Sequence, residues 1–162
     1  MQYMNKVFLL IGGNMGDRLQ NLRQAIALLA VTCGPVVQQS ALYETAAWGK
    51  TDQPAFLNQA LQLQTKLNAV PLLHQLLEIE KKIGRIRKER YGPRLIDIDI
   101  LLFNYEIRDH GELRLPHPEM QNRRFALAPL AEIAASVIHP VFHKTIAQLL
   151  DECSDPLPVK KI

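Results

Sequence analysis

Two aspartates are set into an apolar run, Leu95-Ile96-Asp97-Ile98-Asp99-Ile100-Leu101-Leu102-Phe103. The period of two predicts a strand, because successive side chains leave a strand on opposite faces. Ile96, Ile98 and Ile100 then share one face, and Asp97 and Asp99 share the other. Whatever fold this chain adopts, one side of this strand belongs to the core and the other presents two like charges. Neighbouring carboxylates in apolar surroundings repel each other and are costly to bury. A divalent cation relieves that cost, and magnesium fits best, held by one or two carboxylates, waters and substrate phosphates. A solvated strand face is the alternative, and the apolar flanks argue against it.

The segment just before this strand sharpens the reading. The 162-residue chain has a net charge of +3, but residues 81–94 carry seven basic side chains against Glu89 alone. That local excess of six leaves the rest of the chain three negative. A mildly acidic body with one basic segment points to a local anionic ligand rather than to a surface that coats nucleic acid or membrane. Arg85, Arg87, Arg90 and Arg94 fall within ten residues, between Gly84 and the strand, and Gly92-Pro93 mark a loop. Guanidinium forks match phosphate oxygens in bidentate fashion. Carboxylates, metal and arginines together are the equipment of phosphoryl transfer.

Periodicity supplies the frame. Residues 6–11 read as a buried strand ending in Gly12-Gly13. Asp17 caps a helix with Leu19, Leu22, Ile26 and Leu29 on one stripe, which Gly34-Pro35 ends. Residues 36–43 read as a second strand and 44–54 as a long loop. Residues 56–65 alternate, with Leu57, Leu61 and Leu63 opposite Phe56 and Asn58. Asn68 opens a helix striped by Leu72, Leu76, Ile79 and Ile83, and the aspartate strand follows. The order β-α-β-β-α-β predicts an α+β, ferredoxin-like fold, an antiparallel sheet with helices on one face. A hairpin around Gly111 and short helices near 125–135 and 145–150 complete it. Residues 1–153 read as one domain and 154–162 as a loose tail.

Other features are weaker. Phe56 and Asn58 share the strand face opposite the core leucines, and with Phe125 could clamp a flat, hydrogen-bonding heterocycle; taken by themselves, plain core packing is the stronger reading. His117 sits between Pro116 and Pro118. The Gly12-Gly13-Asn14-Met15-Gly16-Asp17 stretch lacks the Lys-Ser/Thr of a phosphate loop and reads as a tight turn. Cys33 and Cys153 form neither a disulfide framework nor a zinc site, so a reducing cytoplasm is the simplest compartment. No run is long enough for a signal or spanning segment.

From about residue 7 to 150 the chain resembles the 6-hydroxymethyl-7,8-dihydropterin pyrophosphokinases of folate biosynthesis. The resemblance rests on Gly92-Pro93-Arg94-Leu95-Ile96-Asp97-Ile98-Asp99-Ile100-Leu101, with Gly12-Gly13-Asn14, Asp52-Gln53-Pro54-Ala55-Phe56-Leu57-Asn58, Pro116-His117-Pro118 and Asn122-Arg123-Arg124-Phe125 in the same order. It implies an ATP-dependent diphosphotransferase that moves pyrophosphate to the pterin hydroxymethyl group and releases AMP. By this resemblance Asp97 and Asp99 hold two Mg2+ ions and, with Arg85 and Arg94, carry catalysis. Arg85, Arg87, Arg90, Arg94, His117 and Arg123 match ATP-binding positions, and Thr45, Phe56, Asn58 and Phe125 pterin-binding ones. It further implies a monomer without nucleic-acid or membrane partners. A nucleic-acid-binding ferredoxin-like module is the alternative, since such sheets bind RNA through stacked aromatics. Only 6% of the residues are aromatic, which disfavours it.

Overall fold

The computed structural model describes residues 3–46, 52–84 and 95–162. Strand β1 (Asn5–Gly13) is central, antiparallel to β4 (Phe56–Thr65) on one side and to β5 (Asp97–Phe103) on the other. Beyond β4 the sheet continues as β2 (Val36–Gln39) and β3 (Tyr43–Thr45), and β6 (Val159–Lys161) pairs with β3. The single strand expected over residues 36–43 is thus two pieces. Ser40 causes the break, because its Oγ accepts from the Ala60 N–H (2.9 Å) and takes a ladder position from the backbone. The freed Ala41 N–H donates to Glu132 Oε2 at 2.8 Å.

Helices α1 (Arg18–Thr32) and α2 (Ala69–Ile83) cover one sheet face, as the ferredoxin-like order predicts. Leu22, Leu29, Leu72, Leu76 and Ile79 pack there on Leu9, Ile11, Leu57, Leu61, Ile98 and Ile100. Asp17 caps α1 by accepting from the Gln20 N–H, whereas Asn68 at the start of α2 makes no side-chain cap bond. The short helices α3 (Arg124–Ala134) and α4 (Ile146–Glu152) take the opposite face. Leu127, Leu130 and Ile146 pack there on Phe8, Leu10, Ala60, Leu101 and Leu102. The hairpin expected around Gly111 is present as a bridge between Arg108 and Leu115, closed by two 2.8 Å backbone bonds.

The C-terminal residues 154–162 are not loose, contrary to the sequence reading. β6 fills the edge that β3 would otherwise leave open, pairing Thr45 with Val159 and Tyr43 with Lys161. Buried Asp155 fixes the approach: its carboxylate accepts from the Arg124 N–H (3.1 Å) and the Leu157 N–H (3.0 Å). One buried acceptor and the edge that β3 leaves unfilled order this end. Asp155→Ala should cost about 1–3 kcal/mol in urea unfolding, the price of an unmet buried donor, and speed exchange of the β6 amides. Unchanged stability would contradict this role.

Candidate active site

The register of β1 assembles the site. Gly12 pairs with Asn58 of β4 on one side and with Asp97 of β5 on the other. Directly paired residues in antiparallel strands point to the same face. Asn58, Gly12 and Asp97 therefore form one row across the sheet, and Ala60, Leu10 and Asp99 form the next. This face also carries α3, whose side chains pack on Leu10 and Ala60. Asp97 and Asp99 are half-buried, and their neighbours Ile96, Ile98 and Ile100 are buried on the opposite face. The alternation predicted from the sequence is the one observed.

Asn58 is 4% exposed, and its Nδ2 has no hydrogen-bond partner among the described residues. A buried amide hydrogen without an acceptor is costly unless a ligand supplies one. Phe56 lies two residues away on the same face, half-buried, and pairs with buried Thr45 across β3. The fold thus brings Thr45, Phe56, Asn58 and Asp97 to one end of the sheet.

His117, Arg123 and Phe125 come from the chain that leaves β5 and enters α3. The His117 N–H donates to Leu101 O at 3.0 Å, which ties it to the aspartate strand. Its Nδ1 accepts from the Glu119 N–H at 3.1 Å, so the ring proton resides on Nε2. Burial, reinforced by the Arg123 charge, pushes the His117 pKa down to about 4. The ring is therefore a neutral donor at physiological pH, suited to a phosphate oxygen. The Arg123 guanidinium lies 5.7 Å from the centroid of the half-buried Phe125 ring. This cation–π contact keeps a positive charge beside the ring at the start of α3.

Supporting residues were not singled out from sequence. Glu80, buried on α2, accepts from the Ile98 N–H at 2.7 Å. That bond holds the outer edge of β5 between the two aspartates. Glu80 falls on the apolar stripe of α2 beside Leu76 and Ile79, and an acid on a buried stripe is the signal that could have revealed it. Asn14 is buried and donates to Gln53 Oε1 and Pro54 O, both at 2.9 Å. Arg18 bonds Glu44 at 2.7 Å and Ala55 O at 3.1 Å. These contacts fasten the start of α1 to the segment leading into Phe56. Gly12 and Gly13, read from sequence as part of a turn, belong to β1. The positive φ of 64° comes only at Gly16.

Arg85, Arg87, Arg90 and Arg94 lie outside the described residues, as do residues 47–51 of the loop expected over 44–54. Two half-buried carboxylates on one strand face are a donor set suited to magnesium, which takes one or two carboxylates and leaves its other positions to water and phosphate. Among the described residues no third histidine, cysteine or carboxylate joins a metal-binding group there.

Burial also lowers the pKa of His139 to about 4, with His143 adding to the shift. The unfolded chain takes up protons on both rings near pH 6.5, where the folded one does not. Their contribution to stability is therefore complete above pH 6.5 and lost as pH falls toward 4. Imidazole titration by NMR should give midpoints near 4 for both rings; midpoints near 6.5 would contradict their buried, neutral state.

A profile of the 7,8-dihydro-6-hydroxymethylpterin-pyrophosphokinase family matches residues 8–135. The chain is 47% identical to the 2-amino-4-hydroxy-6-hydroxymethyldihydropteridine pyrophosphokinase of Bacillus subtilis, covering 82% of this chain and 80% of that protein. It is 39% identical to the enzyme of the same name from Methylorubrum extorquens, covering 98% and 99%. The fold is similar to that of a crystal structure of Plasmodium falciparum HPPK-DHPS, with a TM-score of 0.77 at 18% identity. That match covers 93% of this chain and 46% of the other, so the chain spans under half of that structure's length. The protein whose sheet sets Asn58, Gly12 and Asp97 in one row belongs to the 7,8-dihydro-6-hydroxymethylpterin-pyrophosphokinase family.

Proposed function

We propose that Asp97 and Asp99 hold the magnesium with which this chain transfers pyrophosphate from ATP to the hydroxymethyl group of 6-hydroxymethyl-7,8-dihydropterin. The products are AMP and the dihydropterin pyrophosphate, in folate biosynthesis. The observation that carries this reading is the shared row of Asn58 and Asp97. It puts an amide suited to a heterocycle and a carboxylate suited to a metal on either side of Gly12 in one row. Two ions are expected, because the pyrophosphate chain and the attacking hydroxyl both need a cation. When bound, they neutralise phosphate charge and polarise the β-phosphorus.

The chain's own residues bind and orient. Asn58 meets the polar edge of the pterin through its unpartnered Nδ2, and Phe56 and Phe125 supply apolar walls, with Thr45 at the margin. His117 donates from Nε2–H to a phosphate oxygen, and Arg123 adds charge on the same side. By the family resemblance, Arg85, Arg87, Arg90 and Arg94 would take the remaining phosphate oxygens, with Arg85 and Arg94 in the catalytic role. Holding two reactants in line supplies much of the rate in such transfers.

No helix among the described residues is long and apolar enough to cross a membrane. The cysteine usage supports a cytoplasmic enzyme, and the single domain, with β6 paired into its sheet, is taken to act as a monomer without nucleic acid. The protein incubated with ATP, magnesium and hydroxymethyl-dihydropterin should give pterin-dependent AMP. Production of ADP instead, or no pterin-dependent turnover, would sink the assignment. Asp97→Ala and Asp99→Ala each remove a ligand of ions worth several kcal/mol, so kcat should fall by roughly a hundredfold or more. Near-normal rates in both would refute the metal role.

A further inference from the structure

Gly12 stands between the two residues on which the proposed reaction turns, and it has no side chain. The site face of the central strand is otherwise occupied. Leu10 fills the next row, and Phe8 follows it into the packed layer under α3. At Gly12 that layer stops. A Cβ placed there would overlap Asn58 Oδ1, lie 3.1 Å from Asn58 Cγ and come within 3.2 Å of Leu57 O. The Asn58 amide therefore lies over the backbone of β1, in space that any other residue at position 12 would take. Its Oδ1 end occupies that space, and its buried Nδ2 is the end left without an acceptor.

The row also sets a length. Paired Cα atoms in antiparallel strands are about 4.5–5.5 Å apart, so Asn58 and Asp97 are separated by roughly 10 Å across Gly12. That span suits a bicyclic heterocycle whose polar edge is read at Asn58 and whose exocyclic hydroxymethyl arm ends near Asp97.

We propose that Gly12 is a positioning and specificity-determining residue. Its missing side chain makes the room in which the Asn58 amide lies over β1, oriented toward the pterin. This rests on the assignment of Asn58 to the pterin. Gly12 acts through Asn58 and through the space it leaves, not by contact with the phosphates. The geometry differs from the ordinary use of glycine, because the backbone here is regular strand and no positive φ is involved.

The test is a double-mutant cycle of Gly12→Ala and Asn58→Ala, read by calorimetric titration of 6-hydroxymethyl-7,8-dihydropterin and by the KM for ATP. Gly12→Ala should weaken pterin binding about tenfold or more, the worth of a misplaced buried hydrogen bond. The KM for ATP should stay within about twofold, and in the Asn58→Ala background Gly12→Ala should add less than about twofold, because the two substitutions remove one interaction. Parent-like pterin binding by Gly12→Ala would overturn the proposal. So would an equal loss in both backgrounds, or equal losses for pterin and ATP. If Gly12→Ala alone does not fold, the double variant carries the test against Asn58→Ala, since truncating Asn58 removes the closest overlap. Failure here leaves the parent's pterin-dependent AMP intact, whereas failure of the functional assignment removes that activity.

Discussion

The site depends on the antiparallel register of β1 between β4 and β5. A slip of one residue in either ladder would turn every side chain of the partner strand to the other face. Asp97 and Asp99 would then point among the leucines under α1 and α2, and Asn58 would leave its row. The register is held by burial on both faces: Leu9, Ile11, Ile98 and Ile100 beneath one pair of helices, Phe8 and Leu10 beneath the other. Glu80 adds a directed constraint at the outer edge through the Ile98 N–H. Core packing and site geometry are therefore one problem in this molecule. The residues that make the sheet stable also decide which polar groups meet above it.

The period-two pattern made the aspartate strand legible, because Asp97 and Asp99 alternate with isoleucines that had to be buried. Phe56 and Asn58 were legible for the same reason against Leu57 and Leu61. The ferredoxin-like order followed from the alternation of strand and helix patterns. Other features depend on contacts distant in sequence. The break at Ser40 requires Ala60 and Glu132, and the ordering of the C-terminal residues requires the open edge of β3 and the start of α3. Gly12 looked like part of a turn because a glycine pair followed by Asn commonly is one. Its place inside a strand is set by the partners on both sides.

Charge is distributed to match. The body of the chain is mildly acidic, and most of its positive excess lies in the residues that lead into β5. His117 is kept neutral by burial and by Arg123, so it offers a hydrogen bond without adding to that positive charge. Its Nδ1 is engaged by the backbone of Glu119, which leaves one donor direction only. In the proposed site, phosphate recognition on this side would combine a directional neutral donor with the fixed charge of Arg123.

The central claim is that a pterin-reading amide and a metal-holding carboxylate pair share adjacent rows of one sheet face. A crystal structure with magnesium, a non-hydrolysable ATP analogue and 6-hydroxymethyl-7,8-dihydropterin tests it most directly. The account predicts metal density bonded to Asp97 and Asp99, the pterin edge on Asn58 and the hydroxymethyl arm above Gly12. Metal bound away from both aspartates, or pterin seated away from the Asn58–Gly12–Asp97 row, would contradict it.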